Sequence, residues 1–161
     1  IKENNISKSK IKVLKRMVED FYLIPTNKIR SADNVLRNIK KMENSYDRLS
    51  EIGNIAQSFI NFNDERDYKI EEFFYKSIKD SWKIKMSLSE VMNDSLFDQY
   101  NIIDSLIPNN FIRLLGAGSG GYFLLSSKIK EKDILNLNDN KSIKGIFKVE
   151  VSSEGVSSFK I

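Results

Sequence analysis

Four of the chain's seven glycines fall within six positions, Gly116-Ala117-Gly118-Ser119-Gly120-Gly121. They lie between two apolar runs, Phe111-Ile112-Arg113-Leu114-Leu115 and Tyr122-Phe123-Leu124-Leu125-Ser126. Glycine inside regular structure costs about 0.5–1 kcal/mol relative to alanine, so such a cluster requires a reason. Short apolar runs on either side suit strands, and the segment reads as two strands joined by a glycine loop. Two accounts of the glycines stay open at this stage. A loop bare of side chains can aim backbone N–H groups at an anion, most often a phosphate. It can equally shape a wide hairpin or admit another stretch of backbone at close range.

Two familiar nucleotide motifs fail here. Gly116-x-Gly118-x-x-Gly121 satisfies the letter of the dinucleotide fingerprint, but that motif opens a helix, whereas Tyr122-Phe123-Leu124-Leu125 favours a strand. A phosphate loop of the Walker type would need Lys-Ser or Lys-Thr after the last glycine, and neither follows.

Upstream, apolar residues recur with a helical period. Ile11, Leu14, Met17 and Val18 mark one short face; Val35, Leu36, Ile39 and Met42 mark a second, capped by Ser31 or Asp33. Tyr46, Leu49, Ile52, Ile55, Phe59 and Ile60 make a third. The longest predicted helix runs from Tyr68 to Val91, and a shorter one from Leu96 to Ile107 ends before Pro108-Asn109-Asn110. Phe21-Tyr22-Leu23-Ile24, stopped by Pro25, reads as a strand, and residues 26–31 as a loop. A helix from Lys130 to Leu137 and two last strands, 146–151 and 156–160, complete the expectation. Helices first and an antiparallel sheet second predict an α+β fold, helices packed on one face of a small antiparallel sheet. With no repeat and no low-complexity linker, all 161 residues are expected to form one domain.

A chain of this length removes roughly 70% of its extended surface from water on folding, and 40% hydrophobic residues supply the core. Cysteine and histidine are both absent. That excludes disulfides, thiolate nucleophiles and zinc knuckles, and removes the commonest metal ligand and general base. Net charge is +4, but the basic clusters have acids beside them: Lys15 and Arg16 precede Glu19 and Asp20, and Lys128 and Lys130 precede Glu131 and Asp133. No basic stripe interleaved with aromatics emerges, which argues against nucleic-acid binding, although a basic accessory domain stays as an alternative. No apolar run approaches the ~20 residues of a membrane span, so a soluble, cytoplasmic protein is expected. The chain opens on Ile1 rather than Met, and the expectation is a piece of a longer protein.

Leu114-Leu115-Gly116-Ala117-Gly118-Ser119-Gly120-Gly121-Tyr122-Phe123-Leu124-Leu125 resembles the carboxy-terminal motif of the GHMP kinases, and most closely the L-L-G-A-G-G-G-G-F-L-L stretch of heptose-7-phosphate kinases. Ser81-Trp82-Lys83-Ile84-Lys85-Met86-Ser87-Leu88-Ser89 is similar to that branch's W-x-x-K-x-x-L-S segment. Thr26-Asn27-Lys28-Ile29-Arg30-Ser31-Ala32 resembles its T-G-x-x-R-x-A turn, and Phe147-Lys148-Val149-Glu150 with Glu154-Gly155-Val156 follows its last hairpin. Ser119 and Asn27 stand where the family usually has glycine.

The resemblance implies a ferredoxin-like carboxy-terminal domain of an ATP- and Mg²⁺-dependent sugar or sugar-phosphate kinase. Gly116, Ala117, Gly118, Ser119, Gly120 and Gly121 would close the cleft near the nucleotide phosphates. The family's ATP loop, P-x-x-x-G-L-x-S-S, and the acid that activates the substrate hydroxyl belong to an amino-terminal domain and are not visible here. That domain is the implied partner, and this chain alone would be inactive; self-association is the other expected contact. A non-catalytic binding or assembly module that kept the fold is the alternative. Arg30, with Lys28 beside it, is a candidate anchor for a sugar phosphate because a guanidinium fork matches phosphate oxygens, and Lys85 is a further substrate candidate. Trp82 is expected in the core. Asp20, Asp33 and Asp80 have no evident acidic partner, so no catalytic acid and no metal ligand is assigned.

Overall fold

The computed structural model describes residues 8–19, 21–28, 32–88, 91–108, 110–116, 118–126 and 129–150. In chain order the elements are α1 (Lys8–Glu19), β1 (Tyr22–Pro25), α2 (Ala32–Lys41), α3 (Ser45–Asn61), α4 (Asp67–Met86), α5 (Asp94–Leu106), β2 (Ile112–Leu114), β3 (Tyr122–Leu125), α6 (Glu131–Asp139) and β4 (Phe147–Lys148). The predicted α+β fold is the observed one.

All strand pairings are antiparallel, in the order β2-β3-β1-β4. With helices between β1 and β2 and between β3 and β4, this is the split β-α-β, ferredoxin-like arrangement. Register places Ile24, Phe123 and Leu114 in one cross-strand row, and Tyr22, Leu125 and Ile112 in another. These rows carry the sheet's covered face. Ile24, Phe123, Leu114 and Leu125 are fully buried against Val35 and Ile39 of α2, Trp82 of α4, Leu96 and Ile103 of α5 and Leu137 of α6. Because side chains alternate along a strand, Leu23, Leu124 and Arg113 fall on the other face, where all three are half-buried. A second, smaller cluster packs Val13 and Met17 of α1 against Ile70 of α4, with Phe59, Phe62 and Phe74 around it. No described helix is long and apolar enough to cross a membrane.

Several sequence expectations need correction. The long helix ends at Met86 rather than Val91; Leu88 and Val91 are buried, but in the turn that follows. Asn93 restarts the chain as α5 by accepting the Leu96 N–H at 3.1 Å, a side-chain N-cap. Leu36, Tyr46, Leu49 and Tyr68 keep helical spacing but are exposed, Tyr46 at 82%, since α2, α3 and α4 each bury a narrower stripe than their periodicity offers. The predicted strand over 146–151 is confined to Phe147–Lys148, and the strand over 156–160 lies outside the described residues.

Candidate functional site

The loop between β2 and β3 lies at the end of the sheet where β1 leaves it, because Pro25 pairs with Tyr122 and Leu114 with Phe123. The exit of β1 is consequently fastened to the loop. The Thr26 N–H and hydroxyl both donate to the Gly121 carbonyl at 2.9 Å, and the Gly121 N–H donates to the Lys28 carbonyl at 3.3 Å. Asn27 takes a positive φ of 54°, which asparagine tolerates. Gln99 of α5 braces it by donating to the Pro25 carbonyl at 3.1 Å. From the other side, the Val91 carbonyl accepts the Ser119 N–H at 2.7 Å, and the Lys85 ammonium donates to the Gly116 carbonyl.

This packing accounts for the glycines one by one. A Cβ at position 118 would stand 2.7 Å from the Val91 Cα, and one at position 120 would stand 2.5 Å from the Lys28 carbonyl oxygen. Gly116 and Gly121 have open or ordinary surroundings but positive φ, 80° and 102°. Ser119 also has positive φ, 59°, and is buried at 1% exposure, so its side chain is folded inward rather than narrowing an open mouth. The N–H groups of Ser119 and Gly121 are engaged within the protein, whereas those of Gly116, Gly118 and Gly120 donate to no described backbone or side-chain acceptor. Of these, Gly116 is exposed, Gly120 half-buried and Gly118 buried.

Three separate segments singled out in the sequence therefore meet at one sheet end: the turn from Thr26 to Lys28, Lys85 and the glycine loop. The side chain of Lys28 is exposed, while that of Lys85 is half-buried. Burial and the nearby Arg113 charge lower the Lys85 ammonium from 10.5 to about 8. Arg30 and Ala117 lie outside the described residues. Trp82 is buried, as expected, and its indole N–H has no hydrogen-bond acceptor among the described residues.

Arg113 was not singled out by sequence reasoning. It projects from the middle of β2, is half-buried and donates to the Ser81 hydroxyl at 3.2 Å. Desolvation lowers its pKa. The available signal was a lone cation inside the apolar run Phe111–Leu115, which alternation places opposite the buried Ile112 and Leu114.

A cleft of about 610 Å³ opens at the far end of the hairpin between α4 and residues Asn110, Phe111 and Ser126. An apolar groove of about 280 Å³ runs between α3 and α4 up to Arg113. Neither is lined by glycine-loop residues. Among the described residues no group of three or more acids could hold a metal ion. No family model matches the chain, and no curated protein or solved structure matches it at a significant level.

Proposed function

We propose that this chain is the carboxy-terminal domain of an ATP-dependent sugar or sugar-phosphate kinase of the GHMP type, most like a heptose-7-phosphate kinase. The observation that supports it is the meeting of the Thr26–Lys28 turn, Lys85 and the glycine loop at one end of the split β-α-β sheet. In this reading the N–H groups of Gly116 and Gly120, which have no acceptor among the described residues, and the Lys85 and Lys28 ammonium groups face a phosphate brought by the partner domain. Phosphoryl transfer depends mainly on positioning and charge stabilisation, which such groups supply without forming bonds to the reacting atoms. ATP and Mg²⁺ would be held chiefly by the amino-terminal domain, as the resemblance to the GHMP kinases implies. Lys85, already lowered to about 8, would regain its ordinary protonation beside a phosphate dianion.

A second reading is a binding or assembly module that keeps the fold without the chemistry. The engagement of the Ser119 and Gly121 N–H groups by the Val91 and Lys28 carbonyls favours it, because those two donors are withdrawn from any cradle. Calorimetric titration of the full-length protein with Mg·ATP and with a panel of sugar phosphates, followed by a phosphoryl-transfer assay, separates the two. The kinase reading expects binding of both ligands, transfer by the full-length protein and none by this chain alone. A full-length protein that binds neither ligand establishes the module. Transfer by this chain alone would overturn the division of labour.

A further inference from the structure

The groove between α3 and α4 has walls of one chemical kind and an end of another. Ile52, Ile55 and Phe59 line it from α3, and Phe74 and Ile78 from α4. At its end stands Arg113. A guanidinium carries five N–H donors, yet among the described residues one hydrogen bond is made, to the neutral Ser81 hydroxyl. Arg113 has no carboxylate partner among the described residues, and neither has Lys85, one helical turn beyond Ser81 on α4. Two half-buried cations close enough to disfavour each other, with no anion between them among the described residues, are an unbalanced arrangement. An anion would balance it.

We propose that this groove binds a small amphipathic anion, a single apolar chain lying between α3 and α4 with its carboxylate or phosphate on Arg113. The volume, about 280 Å³, is near the lower end of the roughly 300–1,000 Å³ of small-ligand pockets and fits one chain rather than a two-chain lipid. A guanidinium fork donates two parallel hydrogen bonds to either a carboxylate or a phosphate head. Lys85 adds a second positive charge beyond Ser81, which favours the doubly charged phosphate over the carboxylate. Lys85 is the one residue this site shares with the kinase reading; its apolar walls and Arg113 belong to neither the glycine loop nor a second domain.

Calorimetry with decyl phosphate and decanoate, each below its micelle concentration, tests the proposal, with 1-decanol, inorganic phosphate and phosphatidate-containing vesicles as comparisons. Saturable one-to-one binding of both alkyl anions is expected, with decanol and inorganic phosphate at least about tenfold weaker. Arg113→Met should weaken the alkyl anions by about tenfold or more and leave decanol unchanged. Ala56→Phe, at the groove's rim, should weaken all alkyl ligands and leave inorganic phosphate unchanged, which keeps the test decisive if Arg113→Met fails to fold. Absence of saturable binding, inorganic phosphate binding as tightly as decyl phosphate, or unaltered affinity in a folded Arg113→Met protein would each overturn it. Sedimentation with vesicles but no binding of the monomeric amphiphiles would replace it with a membrane contact.

Discussion

Replacing Gly118 by alanine separates a glycine needed for close approach from one needed for conformation alone. At this position φ is +117°, outside the range L-residues adopt readily, and a Cβ would sit 2.7 Å from the Val91 Cα, 3.1 Å from its carbonyl oxygen and 3.2 Å from its Cβ. Two of those atoms are backbone, and the Val91 carbonyl is fixed by accepting the Ser119 N–H, so no rotamer change relieves the clash. Residues in sparsely populated backbone regions cost about 1–3 kcal/mol, and overpacking adds about 1–3 kcal/mol. The restricted unfolded chain returns about 0.4–1 kcal/mol. The net loss expected for Gly118→Ala is about 1–5 kcal/mol, centred near 3, or on the order of 10 °C in Tm for a chain of this size.

The same substitution elsewhere provides the internal controls. At Gly116, with φ +80° and nothing within 4 Å, only the conformational penalty applies, about 1 kcal/mol. At Gly53, exposed inside α3 with nothing within 4 Å, alanine should stabilise by about 0.5–1 kcal/mol. Urea unfolding followed by circular dichroism, with Trp82 fluorescence as a second probe, gives the three values on one scale. If Gly118→Ala costs no more than Gly116→Ala, the close approach to Val91 is not what fixes glycine at 118, and the packing account of the loop is wrong.

Three further outcomes are expected. The folded Lys85 pKa of about 8 lies below its ordinary 10.5, so the unfolded chain binds more protons between those values. Stability should therefore rise from pH 8 towards 10, by on the order of 1 kcal/mol after solvent screening, and lose that rise in Lys85→Met. Tyr100, whose pKa burial raises, opposes this only above about pH 10. Asn93→Ala removes the acceptor of the Leu96 N–H and should cost about 1 kcal/mol in chemical denaturation. The Asp64 carboxyl, held from 3.8 down to about 2 by the side chain and backbone N–H of Arg66, should titrate near 2 by NMR. The stability it contributes should disappear as pH falls through that value and be absent in Asp64→Asn.

Helices with strong periodicity, the hairpin and the order of elements were legible because alternation and the 3.6-residue repeat are local properties. The loss of helix after Met86 was not, since Leu88 and Val91 keep helical spacing while serving a turn that packs on the loop. Spacing likewise overstated the buried stripe at Tyr46 and Leu49, because the width of a helix's covered face is set by its neighbours. The glycine loop was visible as a cluster, but the backbone of Val91 and of Lys28 that accounts for Gly118 and Gly120 comes from distant segments with no distinguishing side chain. Arg113 escaped notice for a related reason. Its lack of an acidic partner among the described residues is a fact of three dimensions.

The loop's internal bonds also bear on how it could meet a ligand. A cradle made of successive backbone donors needs consecutive N–H groups turned the same way, and here alternate ones, Ser119 and Gly121, are turned into the protein. Among the described residues the donors that remain are those of Gly116, Gly118 and Gly120; Gly118 and Gly120 alternate with the engaged ones, and Gly118 is buried. In the kinase reading, contact with a phosphate would therefore fall, among the described residues, to Gly116 and Gly120, supported by the Lys85 ammonium bound to the Gly116 carbonyl. Such a site depends more on one cation than on the loop, so in the kinase reading Lys85→Met should impair phosphate-dependent binding more than Ser119→Gly improves it. The opposite order would mean that the loop can release its Val91 bond and open as a cradle.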